Sequence, residues 1–188
     1  MGQETYFRFN GIERLYGPGS LNHLMNSHAV VVGIGGVGSW AVEALARSGI
    51  GKLTLIDLDE ICTTNSNRQL HTHIDTIGQS KVTVMTERVR KIHPEIEIDA
   101  IEEFVTSQTA QEIFNRLQNV DICLDAIDEA SAKALLLHEG RSRGIDMVTV
   151  GAAGGRVDPT AIRTADLGET QRDRLLMRVR KTLKREYA

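Results

Sequence analysis

The sequence predicts an α/β protein: a Rossmann-like, doubly wound, mostly parallel sheet preceded by an N-terminal helical arm. Two observations carry this expectation. Gly33, Gly35, Gly36 and Gly38 sit where the apolar run Ala29-Val-Val-Val32 gives way to the helix-like stretch Ser39–Arg47. Beyond them, short apolar runs keep alternating with helix-length amphipathic stretches as far as Val150. Such alternation demands parallel pairing through right-handed crossovers.

Each element follows from its own residues. Phe9–Gly19 and Ser20–Asn26 read as a helical arm broken at Gly17-Pro-Gly19, a strong turn signal. Ala29–Val32 is too short and too β-branched for a helix and reads as a buried strand. The glycines then let the backbone turn sharply and approach a phosphate, and the next helix points its first amides at that anion. A second strand, Lys52–Ile56, ends in Asp57, placed to accept a ribose hydroxyl. Ile77–His93 carries Val82, Met85, Val89 and Ile92 at helical spacing, stops at Pro94, and has Lys81 in its first turns. A third strand, Glu97–Ile101, is followed by an amphipathic helix, Thr109–Leu117, and a fourth strand, Val120–Leu124, ending in Asp125. A helix over Ala130–Arg143 leads to the fifth strand, Asp146–Val150, and to the glycine-rich Gly151–Gly155. Ligands bind at the carboxyl ends of such strands, so the Gly33 loop, Asp57, the Asp125–Asp128 turn and the Gly151 loop are expected on one rim.

Composition sets the class. With 188 residues, 41% hydrophobic and 25% charged, the chain can bury one core, so a single domain is expected: arm 1–28, Rossmann-like core 29–165 and basic C-terminal helix 166–188. No long apolar run and no signal-peptide pattern occurs, which makes the cytoplasm the expected compartment and excludes a membrane segment from this sequence. Cys62 and Cys123 are the only cysteines, so neither a disulfide framework nor a Cys-x-x-Cys zinc pair is available. A net charge of −3 argues against a protein that coats nucleic acid indiscriminately. The basic charge nonetheless collects at the end, in Arg172, Arg174, Arg178, Arg180, Lys181, Lys184 and Arg185, interleaved with Leu175, Leu176, Val179 and Leu183 at helical spacing. The apolar stripe is expected to dock, leaving either a solvated face or a phosphate-backbone contact.

Taken alone, the glycine fingerprint fits NAD or FAD more often than ATP. Asp59, Asn65, Arg68, Gln69 and Lys81 change that weighting, because a simple dinucleotide fold needs no paired cations here whereas a triphosphate does. Arg68 and Lys81 can neutralise charge that builds during attack at the α-phosphorus, the alternative being two solvated surface cations. Asp128 could hold Mg²⁺ against the phosphates, or cap the helix starting near Ala130. Asp59 and Asn65 are expected as outer contacts, with an ordinary turn as the alternative. His71-Thr-His73 lacks the third and fourth ligands a metal would need. Cys123 reads as a small core residue, and Cys62 as structural although nearer the rim.

Gly33-Ile-Gly-Gly-Val-Gly38, Asp57-Leu-Asp59 and Asn65-Ser-Asn-Arg-Gln69 resemble the signature of the ThiF/MoeB/HesA superfamily, adenylating enzymes related to ubiquitin-activating enzymes. Arg8–Gly17, Val31–Trp40, Glu43–Arg47, Phe104–Thr106, Asp125–Asp128 and Gly154–Thr160 further resemble its tRNA threonylcarbamoyladenosine dehydratase branch. The resemblance implies ATP and Mg²⁺ as cofactors. It places Arg68 and Lys81 on the phosphates and magnesium at Asp128. It also implies a homodimer and adenylation of the carboxylate of N6-threonylcarbamoyladenosine next to the tRNA anticodon, followed by cyclisation. The alternative within the superfamily is adenylation or docking of a ubiquitin-like sulfur carrier, with a cysteine desulfurase or sulfur acceptor as partner. The missing zinc pairs weigh against that alternative, and the basic helix weighs for RNA. Two departures stand out. Relatives carry an arm arginine that reaches the partner's ATP where this chain has Gly11, leaving Arg8 and Arg14 as candidates. Members of the branch also continue through a segment bearing a cysteine proposed as catalytic, which this chain is expected to lack.

Overall fold

The computed structural model describes residues 2–187. Five strands form one parallel sheet: β1 (His28–Val32), β2 (Lys52–Ile56), β3 (Glu97–Ile101), β4 (Ile122–Asp125) and β5 (Asp146–Thr149). Their spatial order is β3-β2-β1-β4-β5. The order reverses between β1 and β4, where Val32 lies level with Ile56 on one side and Asp125 on the other. A crevice opens at the carboxyl ends of strands where connections diverge in this way.

All five residues of β1 are buried, as the apolar run predicts for a central parallel strand. The two faces of the pleat part the core in two. Ala29, Val31, Leu53 and Leu55 pack with Val42, Ala46, Val82, Met85 and Val89 of α4 (Gly38–Arg47) and α5 (Lys81–Ile92). Val30, Val32, Ile56 and Cys123 pack with Ile113, Phe114 and Leu136 of α6 (Ala110–Arg116) and α7 (Ala130–Ser142). On the first face, Glu43 of α4 accepts from Arg88 Nε (2.7 Å) and Nη2 (3.1 Å) of α5 and from Arg47 Nε (2.7 Å). The Arg88 hydrogen bond is the main cause holding the Glu43 carboxyl below its usual range.

The arm is three short helices, α1 (Gln3–Phe9), α2 (Gly11–Tyr16) and α3 (Ser20–Met25), so it starts earlier than the sequence periodicity predicts. Phe9 and Leu21 anchor it, Phe9 lying against the His93 ring at a centroid distance of 4.8 Å. Phe7, Leu15 and Tyr16 are exposed.

Three further boundaries differ from expectation. The helix expected from Ile77 begins at Lys81, because Ser80 caps it by accepting from the Thr83 amide and Gly78 takes a left-handed φ of +81° just upstream. β4 begins at Ile122, after Asn119 turns through φ +51°. The C-terminal helix α8 (Arg174–Glu186) starts only after the Asp173 cap, which accepts from Leu176 N at 2.9 Å. Leu176 and Val179 are buried and α8 packs on α7, as the stripe predicts. Arg180, however, leaves the wet face: its Nη1 donates to the Leu167 and Thr170 carbonyls (3.1 and 2.9 Å) and to the Thr170 hydroxyl. Asp173 does not merely oppose the basic cluster, since its Oδ2 accepts from Ala152 N and Arg156 Nη2, each at 3.0 Å. Among the described residues, no helix is long and apolar enough to cross a membrane.

Candidate functional site

The loop between β1 and α4 is shaped by two glycines for different reasons. Gly33 takes φ +87°, and a Cβ there would also stand 2.9 Å from the Ala126 carbonyl carbon. Gly38 lies so close to the Gly33 carbonyl that a Cβ would come within 1.8 Å of its oxygen. Gly35 and Gly36 complete the turn. Ser39 N and Oγ bond back to the Gly35 carbonyl (3.1 and 2.7 Å), whereas the amides of Gly35, Gly36, Val37 and Gly38 meet no intramolecular acceptor among the described residues. Four free donors at the start of a ten-residue helix form a ready anion site.

The loop is held from below. Asp57, buried at the end of β2, accepts from Ile34 N at 2.6 Å through Oδ2 and from Asp59 N at 2.9 Å through Oδ1. Each oxygen keeps a lone pair, so a ribose hydroxyl remains chemically admissible. His71 takes the carbonyl of the same residue, its Nε2 lying 2.8 Å from the Ile34 oxygen. Burial pushes the His71 imidazole below its ordinary pKa. In the sequence His71 stands out only as a metal-ligand candidate without companions. The signal for its structural role is its position two residues after Gln69, inside the segment that folds back under the loop.

Both cations are held by the segment that follows β2. Arg68 lies over Gly36, where a Cβ would meet its Cγ at 3.2 Å, and its guanidinium bonds to Asn67 Oδ1 (2.9 Å) and the Thr64 carbonyl (3.2 Å). Trp40 Nε1 donates to the Arg68 carbonyl at 3.0 Å and fixes the backbone. Lys81, at the first position of α5, is nearly buried and donates to Asp59 Oδ2 at 2.6 Å. Asp59 is therefore the direct partner of Lys81, a tighter role than the outer contact expected. Gln69 is buried beside Gly35, its Oε1 without a partner among the described residues. Asn65 takes the turn role, its Oδ1 accepting from Cys62 N at 3.0 Å.

Across the crevice, Asp125 is fully buried at the end of β4, and the exposed Asp128 follows it. Asp128 is not the helix cap: Glu129 does that, accepting from Ser131 N (2.9 Å) and Ala132 N (2.6 Å). The Asp128 carboxylate makes no hydrogen bond among the described residues. A free, hard oxygen donor on this rim fits Mg²⁺, which commonly binds one or two carboxylates together with substrate phosphates. No group of three or more His, Cys, Asp or Glu that could hold a metal occurs among the described residues, so the phosphates would have to supply ligands. Burial, reinforced by the Asp125 charge, pushes the Cys123 thiol up to about 12, so it stays a protonated core residue. Cys62 is exposed. Lys133, in sequence merely one residue of a helix, is fully buried against Asp125 at 3.0 Å.

The ThiF family profile matches residues 10–184. The chain is 50% identical over 180 residues to the tRNA threonylcarbamoyladenosine dehydratase of Haemophilus influenzae, covering 96% of this chain and 68% of that protein. To the Escherichia coli protein of the same name it is 45% identical over 180 residues, covering 96% and 66%. The chain thus spans about two thirds of the length of these curated relatives. The crystal structure of the Escherichia coli tRNA N6-threonylcarbamoyladenosine dehydratase in complex with ATP matches with a TM-score of 0.95 at 44% identity, covering 99% of this chain and 76% of that one.

Proposed function

The chain belongs to the ThiF family, and on that premise we propose that it uses ATP to adenylate the carboxylate of N6-threonylcarbamoyladenosine in tRNA, driving its dehydration to a cyclic form. The observation that carries this reading is the set of four unpartnered loop amides beside Arg68, with Lys81 paired to Asp59, whose amide bonds the same Asp57 carboxylate that holds the loop. Similarity to the dehydratases supports the choice of acceptor.

The chemistry balances. A carboxylate oxygen bonds the α-phosphorus as pyrophosphate leaves; an internal nucleophile of the substrate then bonds the acyl carbon as AMP departs with that oxygen. The amides of residues 35–38 hold phosphate oxygens, and Arg68 and Lys81 stabilise the charge that grows on them, which fixed donors do better than water. Asp57 receives the ribose hydroxyls, Asp59 keeps Lys81 in place, and Asn65 and Gln69 support the loop under Arg68. Mg²⁺, held by Asp128 and the phosphates, would supply further charge neutralisation. The exposed Phe7, Leu15 and Tyr16 of the arm support a homodimer, since patches of this kind commonly become isologous contacts.

Pyrophosphate release is the test, measured with modified tRNA and separately with a ubiquitin-like sulfur carrier. Stimulation by the tRNA alone is expected; stimulation by the carrier alone would transfer the protein to sulfur-carrier activation. Thermal shift separates the nucleotides, because a ligand of the native state raises the melting temperature. Stabilisation by NAD and none by ATP would remove the adenylation reading.

A further inference from the structure

Lys133 is the largest fully buried side chain that no part of the proposed chemistry uses. Its ammonium has three protons and meets three acceptors: Asp125 Oδ1 at 3.0 Å, the Ile127 carbonyl at 2.8 Å and the Asp125 carbonyl at 3.2 Å. Asp125 is equally enclosed, accepting from Ile127 N (3.1 Å) and from the Thr149 hydroxyl of β5 (2.7 Å). The turn after β4 is thereby fastened from inside at almost every polar atom, and Ala126 N adds a bond to the Val32 carbonyl at 2.8 Å.

Stability alone does not account for this arrangement. A buried ion pair is often no better than well-packed apolar side chains of the same volume, and its neighbours Ala134 and Leu136 are core residues of the same helix. Burial pushes the Lys133 pKa down, while the Asp125 charge opposes the shift. What the pair does provide is geometry. The peptide it fixes, Ala126–Ile127, is the surface against which Gly33 is pressed, at 2.9–3.0 Å from where a Cβ would be. Asp128 is the next residue along.

We propose that Lys133 is a positioning residue: through its bonds to Asp125 and Ile127 it sets at once the wall of the Gly33 loop and the placement of Asp128. The inference rests on the assignment of ATP and Mg²⁺ to this rim. It explains why a charge is kept in the core of α7, because displacements of about 1 Å at a reacting centre cost on the order of 100-fold in rate.

The test compares wild type with the double variant Lys133→Met/Asp125→Asn, which removes both buried charges together and so leaves neither unpaired. Affinity for a non-hydrolysable ATP analogue is measured by calorimetry in Mg²⁺ and in EDTA, beside kcat and KM for pyrophosphate release. We expect the variant to fold with a lowered melting temperature, because the Ile127 and Asp125 carbonyls lose a donor, and to lose most of the Mg²⁺-dependent gain in affinity. Its kcat should fall at least tenfold, with a smaller change in KM. A folded variant with wild-type Mg²⁺ dependence and kcat overturns the inference. A wild type that binds no ATP analogue overturns the functional reading instead. Should the variant not fold, hydrogen exchange on wild type decides: the Ile127 amide must be strongly protected without nucleotide, and exchange at the rate of an open loop overturns the inference.

Discussion

Lys81 Nζ donates to Asp59 Oδ2 across 2.6 Å, with the lysine side chain 6% exposed and its carboxylate partner 52% exposed. The lysine is therefore aimed before any nucleotide arrives, and Asp59 stays wet enough to survive its loss. Lys81→Ala should cut pyrophosphate release by roughly 10²–10³, the usual cost of removing one preorganised donor, with the melting temperature little changed. Asp59→Asn should fall between that variant and wild type, because an amide oxygen still accepts from Lys81. Steady-state rates and melting curves of both variants check this; wild-type rates in Lys81→Ala would return the pair to a surface ion bridge.

Asp128 is exposed and without a hydrogen bond among the described residues, so replacing it should leave the fold alone. Asp128→Asn is expected to raise the Mg²⁺ concentration for half-maximal rate by at least the roughly 10–100-fold that loss of an outer-shell partner costs a metal site. A Mg²⁺ titration of the rate reads it directly, and an unshifted midpoint would move the metal elsewhere.

Acid should destabilise the protein in two windows. His93 and His71 are buried, and burial lowers both pKa values, so the folded state binds fewer protons than the unfolded chain once pH drops below about 6.5. Stability is then complete above that pH and declines below it, by up to about 1.4 kcal/mol per pH unit for each histidine until the folded pKa is reached. Among the described residues both His93 ring nitrogens lack partners, so His93→Phe should flatten the decline by one histidine's share. Glu43, held low chiefly by Arg88, contributes only above about 4.5 and is lost in a second step as pH falls further. Denaturant melts from pH 8 down to about pH 2 resolve the two, and a slope unchanged in His93→Phe would count against the histidine assignment.

Arg178 and Lys181 stay exposed on α8 while Arg180 is tied to the preceding loop. If the exposed pair meets tRNA, Arg178→Ala/Lys181→Ala should make the slope of log K against log salt shallower by one to two units, at roughly 0.7–0.9 per phosphate contact. Filter binding over a salt series measures it. No change would leave this face merely solvated.

Light scattering at tens of micromolar, roughly above ordinary dimer dissociation constants, should find a dimer, and Leu15→Glu/Tyr16→Glu on the exposed arm should shift it toward monomer. A wild-type monomer under those conditions would refute the dimer.

What the sequence determined by itself is what local sterics and hydrophobic period encode. Gly33 and Gly38 are demanded by a backbone turn that no side chain survives, and β1 and β2 follow from short apolar runs whose burial on both faces leaves little alternative. The resemblance to the family adds Arg68 and Lys81; the fold sets the Arg68 side chain beside Gly36 and ties Lys81 to Asp59. Only the tertiary structure decided the partners. Asp59 became the mate of Lys81, His71 the support of Ile34, and Lys133 the fastening of the Asp125 turn, though as residue types a loop acid, a loop histidine and a helix lysine all suggest solvent. The reason is electrostatic: a polar group's role depends on how much water it loses, and that is set when sheet and helices close over it, by contacts that no local pattern records.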